Sequence, residues 1–262
     1  MKTDRVKLTV NDQVANAVLN RPDKHNALDM DMFYRIAQVV KQIKSDPNVR
    51  VVIVSGEGTS FCSGLDIESV LTKRKDALRL LWKWWPTFPN LAQKVTIGWR
   101  TLDIPVIMAL HGNCWGGGMQ IALGGDFRIA TPDTSLSIME AKWGLIPDMG
   151  GTTALKENLP LDQAMLLAMT ANEISAQQAL NVNLITQIDD DPITAATELA
   201  GNLIQRSPDS NKAIKHLYHK TWCNKQGKIL AGETFNQWKI LLGKNQKIAV
   251  KKTLGDKEVE YQ

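Results

Sequence analysis

Three consecutive glycines, Gly116-Gly117-Gly118, stand between a run that reads as a strand, Pro105 to Leu110, and a segment that reads as the start of a helix. A glycine turn in that place lets the backbone approach a ligand closely, and it leaves free N–H groups at a helix N-terminus, where the dipole favours negative charge. Tight turns alone also use such triplets, so the motif by itself fits either reading. It lacks the spacing of a dinucleotide-binding fingerprint, and the phosphate-loop pattern is missing as well. A second unit of the same kind lies upstream. There Val51-Val52-Ile53-Val54, a continuous apolar strand of the sort buried on both faces, leads into the glycine-bearing turn Ser60-Phe61-Cys62-Ser63-Gly64-Leu65-Asp66-Ile67.

The rest of the first 160 residues continues the alternation. Val6 to Leu19 reads as a hairpin with Asn11-Asp12 as its turn. A helix follows from the N-cap Asp29 through Met32, Phe33, Ile36, Val40 and Ile43, closed by Pro47. Phe127 to Ala130 and Ser135 to Ile138 read as further strands, and strands alternating with helices argue an α/β core. From about residue 161 the pattern turns helical: Leu161 to Met169, Ala176 to Leu180, Ile193 to Ile204, Asn211 to Tyr218 and Leu230 to Leu242. We place a core at residues 1–200 and a helical appendage at 201–262, which is expected to bury its apolar stripe on the main domain or on another subunit. Half of the eight tryptophans fall between Trp82 and Trp99; they fit a packed helix or an apolar wall for a ligand equally well.

Composition narrows the function classes. A net charge of +4 suits an anionic ligand but is far from a nucleic-acid-binding balance. The lysines between Lys239 and Lys252 interleave with apolar residues at helical spacing and read as a solvated face, so no nucleic-acid partner is expected. Three dispersed cysteines (Cys62, Cys114, Cys223) offer no disulfide framework, the charged Met1 to Lys7 stretch is not a signal peptide, and no run would span a bilayer. These features point to a reducing, cytoplasmic setting. The four histidines make no metal-ligand pattern, and His216 and His219 read as an exposed polar helix face.

Five separated segments resemble the crotonase, or enoyl-CoA hydratase/isomerase, superfamily in order and spacing. They are Asn20-Arg21-Pro22-Asp23-Lys24-His25-Asn26-Ala27-Leu28, Phe61 to Asp66, the glycine triplet, Gly144 to Thr152, and Ile174 to Ala179. The resemblance runs from about residue 6 to residue 190 and implies a spiral of ββα units with a C-terminal helical trimerisation region. It further implies trimers or hexamers, with the closing Lys251-Lys252-Thr253-Leu254-Gly255-Asp256 reaching toward a neighbour's site. The implied substrate is an acyl-CoA thioester, with no separate cofactor and no metal. By motif position the backbone N–H groups of Leu65 and Gly117 become the oxyanion hole, while Asp23, Lys24, His25, Asn26, Ser63, Asp66 and Ile67 hold the CoA moiety.

Hydratases of this family flank a water with two glutamates, and the matching positions here are Gln120 and Glu140. Glutamine can hold a water but cannot take its proton, so the hydratase pair is broken. Asp148, eight residues beyond Glu140, matches the carboxylate spacing of dienoyl-CoA and ring isomerases, although those dienoyl enzymes carry a third carboxylate where Gln120 stands. The catalytic set is therefore Glu140, Asp148 and Gln120, and double-bond isomerisation is the expected chemistry. Hydration or C–C cleavage with Gln120 orienting water, and acyl-CoA binding without catalysis, are the alternatives. Asp148 as a turn cap and Glu140 as a strand-end surface group are the bland readings beside these. Met139, Trp143 and Trp115 would raise the pKa of a carboxyl among them, whereas Lys142 would lower it.

Overall fold

A computed structural model describes residues 4–70, 74–253 and 259–262. Met1 to Thr3, and Leu254, Gly255 and Asp256 of the closing stretch, lie outside them. The chain opens with an antiparallel hairpin of β1 (Val6–Asn11) and β2 (Val14–Leu19). Its two-residue turn is Asp12-Gln13, with φ of 49° and 67°, rather than Asn11-Asp12. Positive φ at both central residues is the turn whose twist matches the flanking strands. Then come α1 (Met30–Ser45), β3 (Val51–Gly56), the short α2 (Ile67–Val70), α3 (Arg74–Leu81) and α4 (Leu91–Arg100). Asp29 caps α1, its carboxylate accepting from Met32 N–H.

The central region holds β4 (Val106–Leu110), β5 (Asn113–Trp115), α5 (Gly117–Ala122), β6 (Phe127–Ala130) and β7 (Ser135–Ser137). It is followed by α6 (Thr152–Asn158), α7 (Leu161–Thr170), β8 (Ile174–Ser175), α8 (Ala176–Asn181), β9 (Gln187–Ile188) and α9 (Pro192–Ile204). The tail is α10 (Pro208–Thr221), α11 (Gln226–Leu242) and α12 (Lys244–Thr253).

Six strands form one sheet in the order β1-β2-β3-β4-β6-β9, parallel throughout except for the opening hairpin. Successive side chains of a strand point to opposite faces, so a sheet covered on both sides needs unbroken apolar strands. That requirement explains Val51 to Val54 and Val106 to Leu110. Val52, Val54, Val106, Met108 and Leu110 face the larger core beneath α1 and α4, with Phe33, Ile36 and the fully buried Trp99. Val51, Ile53, Ile107, Ala109 and Ile129 face Ala195, Ala196 and Ala200 of α9. Because α9 covers the sheet, the division drawn at residue 200 falls inside a core helix. A second sheet, β5-β7-β8, stands beside the first. No helix among the described residues is long and apolar enough to cross a membrane.

Trp82, Trp84, Trp85 and Phe88 are neither core nor pocket wall; they are 60 to 81% exposed. Trp99 alone of that cluster packs inside. The histidines of α10 also depart from expectation. His216 bonds Asp103 at 2.7 Å beside Lys212, and His219 lies 3.4 Å from Asp126, which Lys215 grips at 2.7 Å. One face of α10 is thus bound to two aspartates of the main domain. Helical spacing brings Lys212, Lys215, His216 and His219 onto that face, which the sequence shows as merely polar.

Burial opposes ionisation of Asp103 and Asp126. Even so, Lys212 and His216 hold the first, and His219 and Lys215 the second, below the ordinary carboxylate range. A depressed carboxyl adds stability above its unfolded pKa, about 3.9, and loses it as pH falls through the folded value. Asp126→Asn leaves the enclosed Lys215 ammonium unpaired and is expected to cost about 3 kcal/mol in urea denaturation at neutral pH. The difference from the unmodified chain should begin to shrink as pH drops below about 4 and vanish only below the depressed folded value.

Candidate active site

Strands β3 and β4 are parallel neighbours, so the loops that follow them leave the same edge of the sheet, where ligands of open α/β sheets bind. The loops then pair with each other. Phe61 N–H donates to His111 O (2.8 Å), Cys62 N–H to Asn113 O (3.0 Å), and Trp115 N–H to Cys62 O (3.0 Å). Two glycines permit the approach. A Cβ on Gly118 would lie 2.2 Å from Cys62 O, and Gly64 has φ of +95° and would bring its Cβ within 3.3 Å of Gly117 N. Leu65 directly follows Gly64, and Gly117 directly precedes Gly118. Neither peptide N–H has a hydrogen-bond acceptor among the described residues, Gly117 being the first residue of α5.

Both N–H groups border a cleft of about 400 Å³ lined by Leu65, Gly117, Met139, Glu140, Trp143, Asp148 and their neighbours. Glu140 opens a short 3-10 turn, Glu140–Trp143, and Gln120 sits on α5. The Gln120 side chain is enclosed and held at both ends: its amide nitrogen donates to Glu140 Oε1 at 2.5 Å, and its oxygen accepts from Met149 N–H (2.9 Å) and Gly151 N–H (3.3 Å). The glutamine thus ties the carboxylate to the loop that carries Asp148. Glu140 Oε2 is buried with no hydrogen-bond partner among the described residues. Burial pushes the Glu140 carboxyl above its ordinary value against the pull of the Gln120 bond, and Asp148 adds to the rise. Partial burial also raises Asp148. Lys142 lines the cleft but makes no ion pair with either carboxylate among the described residues.

The rim is built by the loop after β2. His25 and Asn26 have left-handed backbones, and His25 O accepts from Ser63 N–H (2.9 Å), laying this loop against residues 60–66. Asp23, Lys24 and His25 are exposed there, while Ser63 and Ile67 line the cleft. Asn26 is wholly buried, its carboxamide spent on Arg21 N–H, Glu57 O and Ser60 O, so it shapes the loop and presents no side chain to a ligand. Asp66 is taken up by Arg21 at 2.7 Å. Two contributors escaped sequence reasoning. Ser135 and Glu173 bond each other, Ser135 accepts from the Trp115 indole, and Glu173 lines the cleft. No local pattern joins positions 115, 135 and 173.

A carboxylate beside two unpaired N–H groups can move a proton while the N–H groups hold a developing oxyanion. Cys62 is no competing nucleophile, because burial pushes its thiol up to about 12. Among the described residues no cluster could hold a metal ion.

The sequence profile described as enoyl-CoA hydratase/isomerase matches residues 9–251. Carnitinyl-CoA dehydratase of Shigella flexneri is 30% identical over 224 residues, covering 84% of this chain and 82% of that protein. (E)-benzylidenesuccinyl-CoA hydratase of Thauera aromatica is 31% identical over 214 residues, 80% of each. Among solved structures, an enoyl-CoA hydratase from Polaromonas sp. JS666 superposes with a TM-score of 0.87 at 26% identity, covering 98% of this chain and 99% of that one.

Glu140→Gln is expected to lower kcat by about 100-fold or more, with folding stability unchanged or raised, since a carboxyl with an elevated pKa weakens the fold when ionised. Gln120→Glu places a second carboxyl against Glu140. It should move the acid limb of the pH–rate profile to higher pH, because the base must lose its proton beside a like charge.

Proposed function

Because the chain belongs to the enoyl-CoA hydratase/isomerase family, we propose that it moves carbon–carbon double bonds in an enoyl- or dienoyl-CoA through an enolate. The observation that carries this reading is the commitment of Gln120 to Glu140 and to the 149–151 backbone, which leaves Glu140 and Asp148 as the proton carriers of the cleft. Leu65 and Gly117 N–H donate to the thioester oxygen as it gains charge; losing one such donor typically costs about 3 to 4 kcal/mol of transition-state stabilisation. Glu140, ionised, takes a proton from one carbon while Asp148, protonated, delivers one at another; exchange of a proton between the two carboxyls through solvent resets them for the next turnover. Elevated carboxyl pKa values suit this exchange near neutral pH.

Lys24 and His25 on the rim, with Ser63 and Ile67 in the wall, receive the CoA moiety. Asn26 and Asp66 keep that rim in shape. CoA is part of the substrate, and no separate cofactor enters the reading. Exposed Leu230, Phe235, Trp238, Leu241 and Leu242 on α11 supply an apolar face for a homotrimer or a hexamer.

Hydration or dehydration is the second reading, favoured by the names of the two curated relatives. It assigns Gln120 to orient water; because that carboxamide is bonded to Glu140 and to the 149–151 backbone, the water would instead have to be held between Glu140 and Asp148. Ultraviolet absorbance separates the two. A rise with 3-enoyl- or 3,5-dienoyl-CoA, lost in Glu140→Gln and in Asp148→Asn, is the expected result. A fall with 2-enoyl-CoA, without a rise from the other substrates, would transfer the assignment to hydration. Silence with all of them, together with retained thioester binding, would make the chain a binding protein.

A further inference from the structure

The acyl side of the cleft is organised around one aromatic ring. Strand β5 turns Cys114 into the core and Trp115 the opposite way, into the wall of the cleft. The indole nitrogen can only donate, and it does so to Ser135 Oγ at 2.9 Å. Ser135 then donates to Glu173 Oε2 at 3.2 Å, so a one-way relay ends on a carboxylate. An aliphatic wall needs no such tether; rotating this ring would break the relay.

Trp115 precedes the Gly117 N–H by two residues, which keeps their Cα atoms within about 7 Å. The ring and the proposed seat of the thioester oxygen therefore border the same cleft. Met139 and Trp143 border the same space. We propose that Trp115, held by Ser135 and Glu173, is the platform that selects a flat acyl group, so that the preferred substrates are thioesters of aryl-bearing or comparably planar conjugated acids. The inference rests on the acyl-CoA reading above and is independent of whether a bond moves or water adds. Aromatic groups stack on an indole in offset or edge-on geometry beyond what their buried area gives. A cationic acyl group is disfavoured by Lys142, whose ammonium shares the cleft without an ion-pair partner among the described residues, and by the engagement of Glu173 with Ser135.

The test compares two acyl groups of equal size and unequal shape by isothermal titration with unreactive thioesters. Benzoyl-CoA is flat, cyclohexanecarbonyl-CoA is puckered and more apolar, and 4-(trimethylammonio)butanoyl-CoA carries a fixed charge. The unmodified chain is expected to bind benzoyl-CoA about fivefold tighter than cyclohexanecarbonyl-CoA, against the order that apolarity alone would give. Trp115→Leu should bring that ratio to about 1, and Trp115→Phe should keep most of it. Ser135→Ala, which unpins the ring without removing it, should lower the ratio while thermal unfolding stays put. Equal binding of the two rings, an unchanged ratio in Trp115→Leu, or tightest binding of the cationic thioester would overturn the proposal. If none of the three binds, the acyl-CoA reading itself fails; if all bind without preference, only the platform does.

Discussion

The site depends on the backbone pairing of two loops that follow neighbouring parallel strands. Three hydrogen bonds, Phe61 to His111, Cys62 to Asn113 and Trp115 to Cys62, fix the chain just before Leu65 and Gly117. Without them the two unpaired N–H groups would belong to independent turns with no shared target. The glycines at 64 and 118 serve this pairing as much as any ligand, because larger residues would push the loops apart. A donor pair set by main chain needs no reorganisation when charge appears, which is the condition under which such donors are most effective.

The acid–base apparatus is attached to the same frame. Gln120 lies on the helix that Gly117 begins, so the first turn supplies a donor and the next residues supply the clamp on Glu140. The same carboxamide receives two N–H groups of the 149–151 segment, which sets Asp148 relative to Glu140. On the proposed reading, the glutamine removes one proton carrier and also ties the two carboxylates together. Burial is the first cause of the raised pKa of both carboxyls, acting on a half-buried Glu140 and on an Asp148 that stays largely exposed.

Much of this was legible in the residues. The doubly buried strands announce themselves as continuous apolar runs, and Asp29 marks the start of α1 by its ability to cap it. The meeting of the two glycine-bearing loops is readable in motif order, because that order reflects strand order and loops at one edge of a parallel sheet must meet. Other features were not legible for equally physical reasons. Strand β5 hides inside a glycine-bearing turn, since three residues carry no period. The aspartates that face His216 and His219 lie some 90 to 113 residues away, so helical spacing showed the charged face of α10 without its partners. The Trp82 to Phe88 cluster misled because aromatic density says nothing of direction; those rings point outward, while Trp115 and Trp143 line the cleft. The motif places Asn26 among the ligand contacts, whereas its burial and its bonds to Glu57 O and Ser60 O make it a brace.

A crystal structure of the chain with butanoyl-CoA, which the proposed chemistry leaves intact, tests the central claim most directly. The account predicts the thioester oxygen at about 2.7–3.1 Å from both Leu65 N and Gly117 N, with the Glu140 carboxylate beside the carbon next to the carbonyl. A thioester seated elsewhere, or one whose carbonyl turns away from those two N–H groups, would contradict it.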